Sequence, residues 1–221
     1  FAKAGAKVAI TYYKNEQAAL DIANEIDKGV EIFQLDNKKP DSVNAVMDEL
    51  IHKFGSINTI VNAAGFDIPQ KFISEIDIDL WKSVMDADVN GFFNLVKSSL
   101  PHLRASEGSM VFISSAGLFK YPPGDVLSVA PKATIEHLLK GIAKEEGKNG
   151  VRANSIALGV IDTGIFHRLR EENNTFFDDA WHESVLNTLA LKRFGYPEEV
   201  AHTAVFLASS KAGYITGHCL P

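Results

Sequence analysis

Apolar positions along the chain fall in short solid runs, each followed by a longer stretch with helical spacing. Lys7-Val8-Ala9-Ile10-Thr11-Tyr12 is a β-rich run behind Gly5, which reads as a helix stop, and a helical stretch from about Glu16 to Lys28 follows. The same alternation predicts strands at Val30 to Leu35, Ile57 to Asn62, Met110 to Ser114 and Val151 to Ala157. Helices are predicted over Ser42 to Phe54, Leu80 to Leu103, a stretch ending near Glu146, and Glu198 to Ser209. Met110-Val111-Phe112-Ile113 is apolar throughout instead of alternating, as a strand buried on both faces must be. Strand followed by helix, repeated five times, implies an α/β fold: a doubly wound parallel sheet in one domain over residues 1–221. The segment from Thr163 to Leu191 breaks the rhythm. Its Phe166, Phe176, Phe177 and Trp181 suit a substrate lid over an apolar ligand, and serve equally as lid core or interface.

Composition narrows the function classes. With 46% hydrophobic and 23% charged residues and no low-complexity linker, the chain is that of an ordinary soluble domain. A net charge of −6 gives no general attraction to phosphate backbones or anionic lipid, so the expected partners are small molecules, not nucleic acid or membrane. No apolar run approaches the roughly 18 residues that a membrane span needs. Cys219, the only cysteine, has no intrachain disulfide partner, and a cytoplasmic home is the simplest expectation. The seven histidines form no metal-like cluster, so no metal is expected.

Several motifs then occur in a telling order. Asn62-Ala63-Ala64-Gly65 follows a strand, Ile113-Ser114-Ser115 ends the next, and Val151-Arg152-Ala153-Asn154-Ser155 lies in the last. Lys192-Arg193-Phe194-Gly195, Pro197-Glu198-Glu199-Val200-Ala201 and Ile215-Thr216-Gly217 come after them. Together they resemble the short-chain dehydrogenase/reductase family along essentially the whole chain, and the resemblance implies a Rossmann fold. It also places the family's glycine-rich phosphate loop and central first strand before residue 1 and its last strand after Pro221, implying a longer parent chain.

The resemblance further implies a dinucleotide site. An acidic residue ending the second strand of a Rossmann fold binds the ribose of NAD and repels the extra phosphate of NADP. Here that strand runs into Thr11-Tyr12-Tyr13-Lys14 without an acid, so NADP is favoured over NAD, with Thr11 and Lys14 facing the 2′-phosphate. The plainer reading of Lys14 is a solvated surface lysine. Asp36 matches the family's adenine contact, or is an ordinary turn aspartate before Asn37. Asn62, Ala63 and Gly65 would line the adenosine ribose, where small residues let backbone approach cofactor. Thr163 matches the nicotinamide-binding threonine, although Leu158 stands where a proline is usual.

At the reaction centre the family uses serine, tyrosine, lysine and asparagine. Ser115 takes the serine position. Thirteen residues on, the tyrosine position holds Ser128, and four later Lys132 is in register within Ser128-Val129-Ala130-Pro131-Lys132. Pro131 is tolerable there if it lies in the first turn of its helix. In the gapless register Asp88, not Asn90, occupies the asparagine position, whose family role runs through its backbone carbonyl at a helix irregularity. An aliphatic hydroxyl is too weak an acid to replace a phenol. Dienoyl-type relatives with serine at this place carry a tyrosine two residues after the first serine, where this chain has Gly117; the enoyl-reductase branch has one seven before the lysine, where it has Asp125. The expected function is an NADP(H)-dependent oxidoreductase acting on a carbonyl or alcohol, with a catalytically impaired, dinucleotide-binding pseudoenzyme of structural or regulatory role as the rival. A homotetramer is expected, on the apolar residues Phe92, Phe93, Leu95, Val96, Ile135, Leu138, Leu139 and Ile142 of the two long helices.

Overall fold

A computed structural model describes residues 1–26, 29–172 and 178–221. Phe176 and Phe177 of the expected lid lie outside the described residues. Six strands are described: β1 (Ala9–Tyr12), β2 (Glu31–Gln34), β3 (Thr59–Asn62), β4 (Ser109–Ser115), β5 (Arg152–Leu158) and β6 (Cys219–Leu220). All pairings are parallel, in a two-stranded sheet β1-β2 and a four-stranded sheet β3-β4-β5-β6. β1 and β3 share no ladder among the described residues, and the division falls where the resemblance expects a central strand. The final strand corrects the sequence reading. It begins at Cys219 rather than after Pro221, pairing Ser155 with Cys219 and Ile156 with Leu220.

Between the strands run α1 (Glu16–Ile26), α2 (Pro40–Phe54), α3 (Ile78–Met85), α4 (Gly91–Ser106), α5 (Val126–Glu146) and, after β5, α6 (Gly164–Glu172), α7 (Asp179–Thr188) and α8 (Pro197–Ala208). Local chemistry sets several ends. Pro40 and Pro197 open α2 and α8, where a missing N–H costs nothing, and Gly55 ends α2 at φ 80°, its N–H bonded to the Ile51 carbonyl.

The sheet is covered on both sides because successive residues of its central strand, which point to opposite faces, are apolar. Met110 and Phe112 face α2, α4 and α5, with Phe92 and Phe112 rings 5.2 Å apart, while Val111 packs with Ala204 and Leu207 of α8. This packing removes the apolar surplus on which the homotetramer rested. Phe92, Leu95, Val96, Ile135, Leu139 and Ile142 are all buried in the chain's own core, Leu138 packs against it, and only Phe93 is exposed.

Two helix expectations change. The stretch from Leu80 to Leu103 is not one helix: a π-turn at Asp86–Asn90 separates α3 from α4, with the Gly91 N–H reaching back to the Asp86 carbonyl. Pro131 is not in the first turn of α5. It is the sixth helical residue, fully buried, and deprives the Leu127 carbonyl of its i+4 donor.

Candidate active site

The carboxyl ends of β3 and β4 and the start of α5 converge. Ser115, the last residue of β4, accepts a bond from the Gly117 N–H at 3.0 Å, which opens a single 3₁₀ turn. Gly117 is packed so closely that a Cβ there would lie 2.8 Å from Val129 Cγ2, 3.1 Å from Ser115 Oγ and 3.2 Å from Pro122 Cδ. The strand end and the first turns of α5 therefore meet at this glycine, and no side chain fits the position where dienoyl-type relatives carry a phenol.

Along α5, Asp125, Ser128 and Lys132 stand at i, i+3 and i+7, on one helix face. Lys132 Nζ donates to Ser128 Oγ at 3.3 Å. Burial pushes the Lys132 ammonium down from the ordinary lysine value, while Asp88 and then Asp125 pull it back up. Asp88 enters from the π-turn. That irregularity exists because five residues fill the step between α3 and α4, and it packs against α5. Of the two register alternatives, the Asp88 carboxylate faces Lys132, whereas Asn90 is exposed and donates to Asp86 Oδ1 at 3.1 Å. Asp88 Oδ1 accepts the Phe66 N–H at 2.7 Å, tying the π-turn to the loop that holds Ala63, Ala64 and Gly65. Burial nevertheless raises the Asp88 carboxyl above the usual aspartate value.

Asp125 was noticed in the sequence only as a place without tyrosine. Burial raises its carboxyl too, against the Gln70 Nε2 bond at 3.2 Å and the charge of Lys132. The helical spacing to Ser128 and Lys132 was the available signal; that the residue turns inward was not.

The remaining expected site residues lie at the ends of other elements. At the carboxyl end of β1, Thr11 and Lys14 are exposed, and Lys14 Nζ sits 5.3 Å from the centre of the Tyr13 ring. Lys38, which the sequence did not single out, brings a second ammonium to the same ring at 5.9 Å. Asp36 plays the turn role: its Oδ1 accepts the Lys38 N–H at 3.1 Å, and Lys39 Nζ lies 3.7 Å from Oδ2. Asn62, ending β3, is buried with its Oδ1 unpartnered. Gly65 opens on to space, with no atom within 4 Å of a Cβ placed there. Thr163 is exposed, its carbonyl accepting the Phe166 N–H at 3.0 Å. Beyond it, the rings of Phe166, Trp181 and His182 pack together around Phe194, with centres 5.0 to 6.4 Å apart. An ion pair from Arg168 to Asp67 ties α6 to the loop after Gly65. Among the described residues no group of three or more His, Cys, Asp or Glu is placed to hold a metal, and no helix is long and apolar enough to cross a membrane.

A family model described as Enoyl-(Acyl carrier protein) reductase matches residues 1–221. The 3-oxoacyl-[acyl-carrier-protein] reductase FabG of Staphylococcus aureus strain N315 is 32% identical over 223 residues, covering 99% of this chain and 87% of that protein. The protein of the same name from Chlamydia muridarum is 32% identical over 224 residues, covering 100% and 87%. The chain belongs to the short-chain dehydrogenase/reductase family. It is an oxidoreductase. A solved structure of a protein assigned as a betaketoacyl-ACP reductase superposes with a TM-score of 0.81 at 33% identity, covering 99% of this chain and 86% of that one.

Proposed function

We propose that this oxidoreductase is NADP(H)-dependent and transfers hydride between the nicotinamide and a carbonyl or alcohol substrate. The observation that carries the reading is the Lys132–Ser128 pair, half-buried between two carboxylates and packed where β4 delivers Ser115. The chain's residues fit a dinucleotide. Asn62 Oδ1 is a buried acceptor without a donor, suited to a ribose hydroxyl, and the space beside Gly65 admits close backbone approach. Lys14 and Lys38 around Tyr13 offer two cations where a 2′-phosphate would make NADP distinct from NAD. Asp36 is committed to its turn and adds little to that end of the site.

When bound, the reduced nicotinamide supplies the hydride. The chain's own groups do the rest. Ser115 Oγ and Ser128 Oγ are hydroxyls that can hold the substrate oxygen, Lys132 supplies positive charge beside it, and Thr163 stands at the foot of the lid to meet the nicotinamide amide. Asp88 contributes through the π-turn, where it steadies the cofactor loop and offsets the Lys132 charge.

The relatives' names suggest 3-oxoacyl thioesters as the first substrates to try, and the family model's description suggests enoyl thioesters as the comparison. The expected outcome is NADPH oxidation with a 3-oxo compound, a hydroxyl product, and a loss of at least about 10²-fold in kcat for Lys132→Met. Tighter binding of NAD(H) than NADP(H) would overturn the cofactor assignment. Retained NADPH binding with no turnover across ketones, 3-oxoacyl and enoyl thioesters would overturn the catalytic reading and favour a regulatory dinucleotide-binding role.

A further inference from the structure

Carbonyl reduction needs a proton for the substrate oxygen as well as a hydride for its carbon, and the centre lacks an obvious donor. Ser128 has a hydroxyl too weakly acidic to ionise near neutrality. Tyr121, the nearest phenol along the chain before α5, is 48% exposed on the surface turn, and the tight packing at Gly117 admits no replacement. Two carboxyls remain, both facing Lys132: Asp88 from the π-turn and Asp125 from the head of α5.

They are not equivalent. Asp88 Oδ1 takes a 2.7 Å bond from the Phe66 backbone N–H, a donor that favours the ionised form. Asp125 Oδ1 takes a longer and so weaker bond, at 3.2 Å, from the Gln70 amide, its side chain does not cap its helix, and it stands one turn before Ser128 on the face that carries Lys132. The charged groups around it are Lys132 on its own helix, Asp88 across on the π-turn, and Lys71, whose backbone N–H donates to the Gly124 carbonyl at 3.2 Å. Two half-buried carboxyls share one half-buried ammonium, so one ionised carboxylate already balances the charge and the second gains least by ionising. Burial raises the Asp125 carboxyl above the usual aspartate value, the direction a proton donor needs.

We propose that Asp125 is the proton source of this centre, its carboxylic acid feeding the substrate oxygen over the Ser128–Lys132 pair. The inference rests on the carbonyl-reductase reading above. In reduction the hydride's electron pair forms the new C–H bond, the carbonyl π pair becomes the O–H bond by taking a proton from the Ser128 hydroxyl, and Ser128 is reprotonated from Asp125. The Asp125 carboxylate then takes a proton from water. In alcohol oxidation the same chain runs backwards. Asp125 thus acts through Ser128 as a relay residue.

The test uses the full-length protein with NADPH and the 3-oxo substrate that it reduces best. Wild-type kcat for reduction should fall as pH rises through the Asp125 titration, and alcohol oxidation should rise over the same range. Asp125→Asn should lower kcat by about 10²-fold, flatten both limbs and leave KM and the NADPH Kd within about threefold. Asp125→Glu should restore the limbs. Independently of turnover, carbon NMR of carboxyl-labelled aspartate should show a resonance in the wild type that titrates above the usual aspartate range and disappears in Asp125→Asn. An active wild type whose pH limbs survive in Asp125→Asn overturns this inference alone, as does a spectrum with no such resonance. A wild type without turnover on any carbonyl overturns the proposed function and this inference with it.

Discussion

Gly117 shows how much of the site is decided by a single missing side chain. It is buried, and a methyl group there would enter to within 2.8 Å of Val129 Cγ2, itself fixed in the core. Gly117→Ala should therefore destabilise the protein by about 1 to 3 kcal/mol through overpacking, read as a lower denaturant midpoint at unchanged m. An unaltered midpoint would mean that β4 and α5 are looser here than they look. With serine at position 128 and no room at 117, acid chemistry falls to a carboxyl. The residue types at Ser115, Ser128 and Lys132 and their spacing were legible in the sequence, because an i, i+4 pair on a helix must share a face. The turn role of Asp36 and the part played by Lys38 were not, since each depends on which way a loop side chain points.

At the scale of elements, the π-turn between α3 and α4 matters most. It inserts the extra residue that turns Asp88 toward Lys132 and leaves Asn90 outside, and the Asp88–Phe66 bond makes it the support of the Asn62–Gly65 loop. Asp88→Asn keeps an oxygen for the Phe66 N–H, so NADPH affinity should stay within about threefold. Asp88→Ala removes the acceptor, and a hydrogen bond to a charged group is worth about 1.5 to 3 kcal/mol, so the NADPH Kd should rise about tenfold or more. Fluorescence titration of NADPH checks both, and equal affinities would separate the π-turn from any part that the Asn62–Gly65 loop plays in binding. Pro131 works in the same helix as Lys132, in its second turn, where the Leu127 carbonyl lacks its i+4 donor.

Over the whole molecule, α4 and α5 are clamped at their far ends by Arg104, whose Nε and Nη2 donate to the two Glu146 oxygens at 2.6 Å each, with Asn149 adding a third bond. The Arg104 guanidinium holds the Glu146 carboxyl down to about 2, from an ordinary 4.5. A depressed carboxylate stabilises the fold at pH values above the ordinary glutamate range and loses that contribution as pH falls from about 4.5 toward 2. Glu146→Gln should therefore lower Tm at pH 7 and narrow the gap to wild type on acidification through that window. A gap independent of pH would show that packing, not charge, joins the helices there. Asp88 and Asp125 work in the opposite sense, since their raised carboxyls cost the folded state stability as pH rises.

The sequence by itself determined the α/β class, the parallel strands and the family. Those follow from period, run length and local stops, which each segment carries within a few residues. Tertiary structure decided the rest. That β6 begins at Cys219, that the apolar faces of α4 and α5 are spent on the chain's own core, and that α3 and α4 part at a π-turn are packing outcomes. So is the inward turn of Asp125, because desolvation by surrounding segments, not the residue's own chemistry, sets whether a carboxyl is a surface anion or an acid.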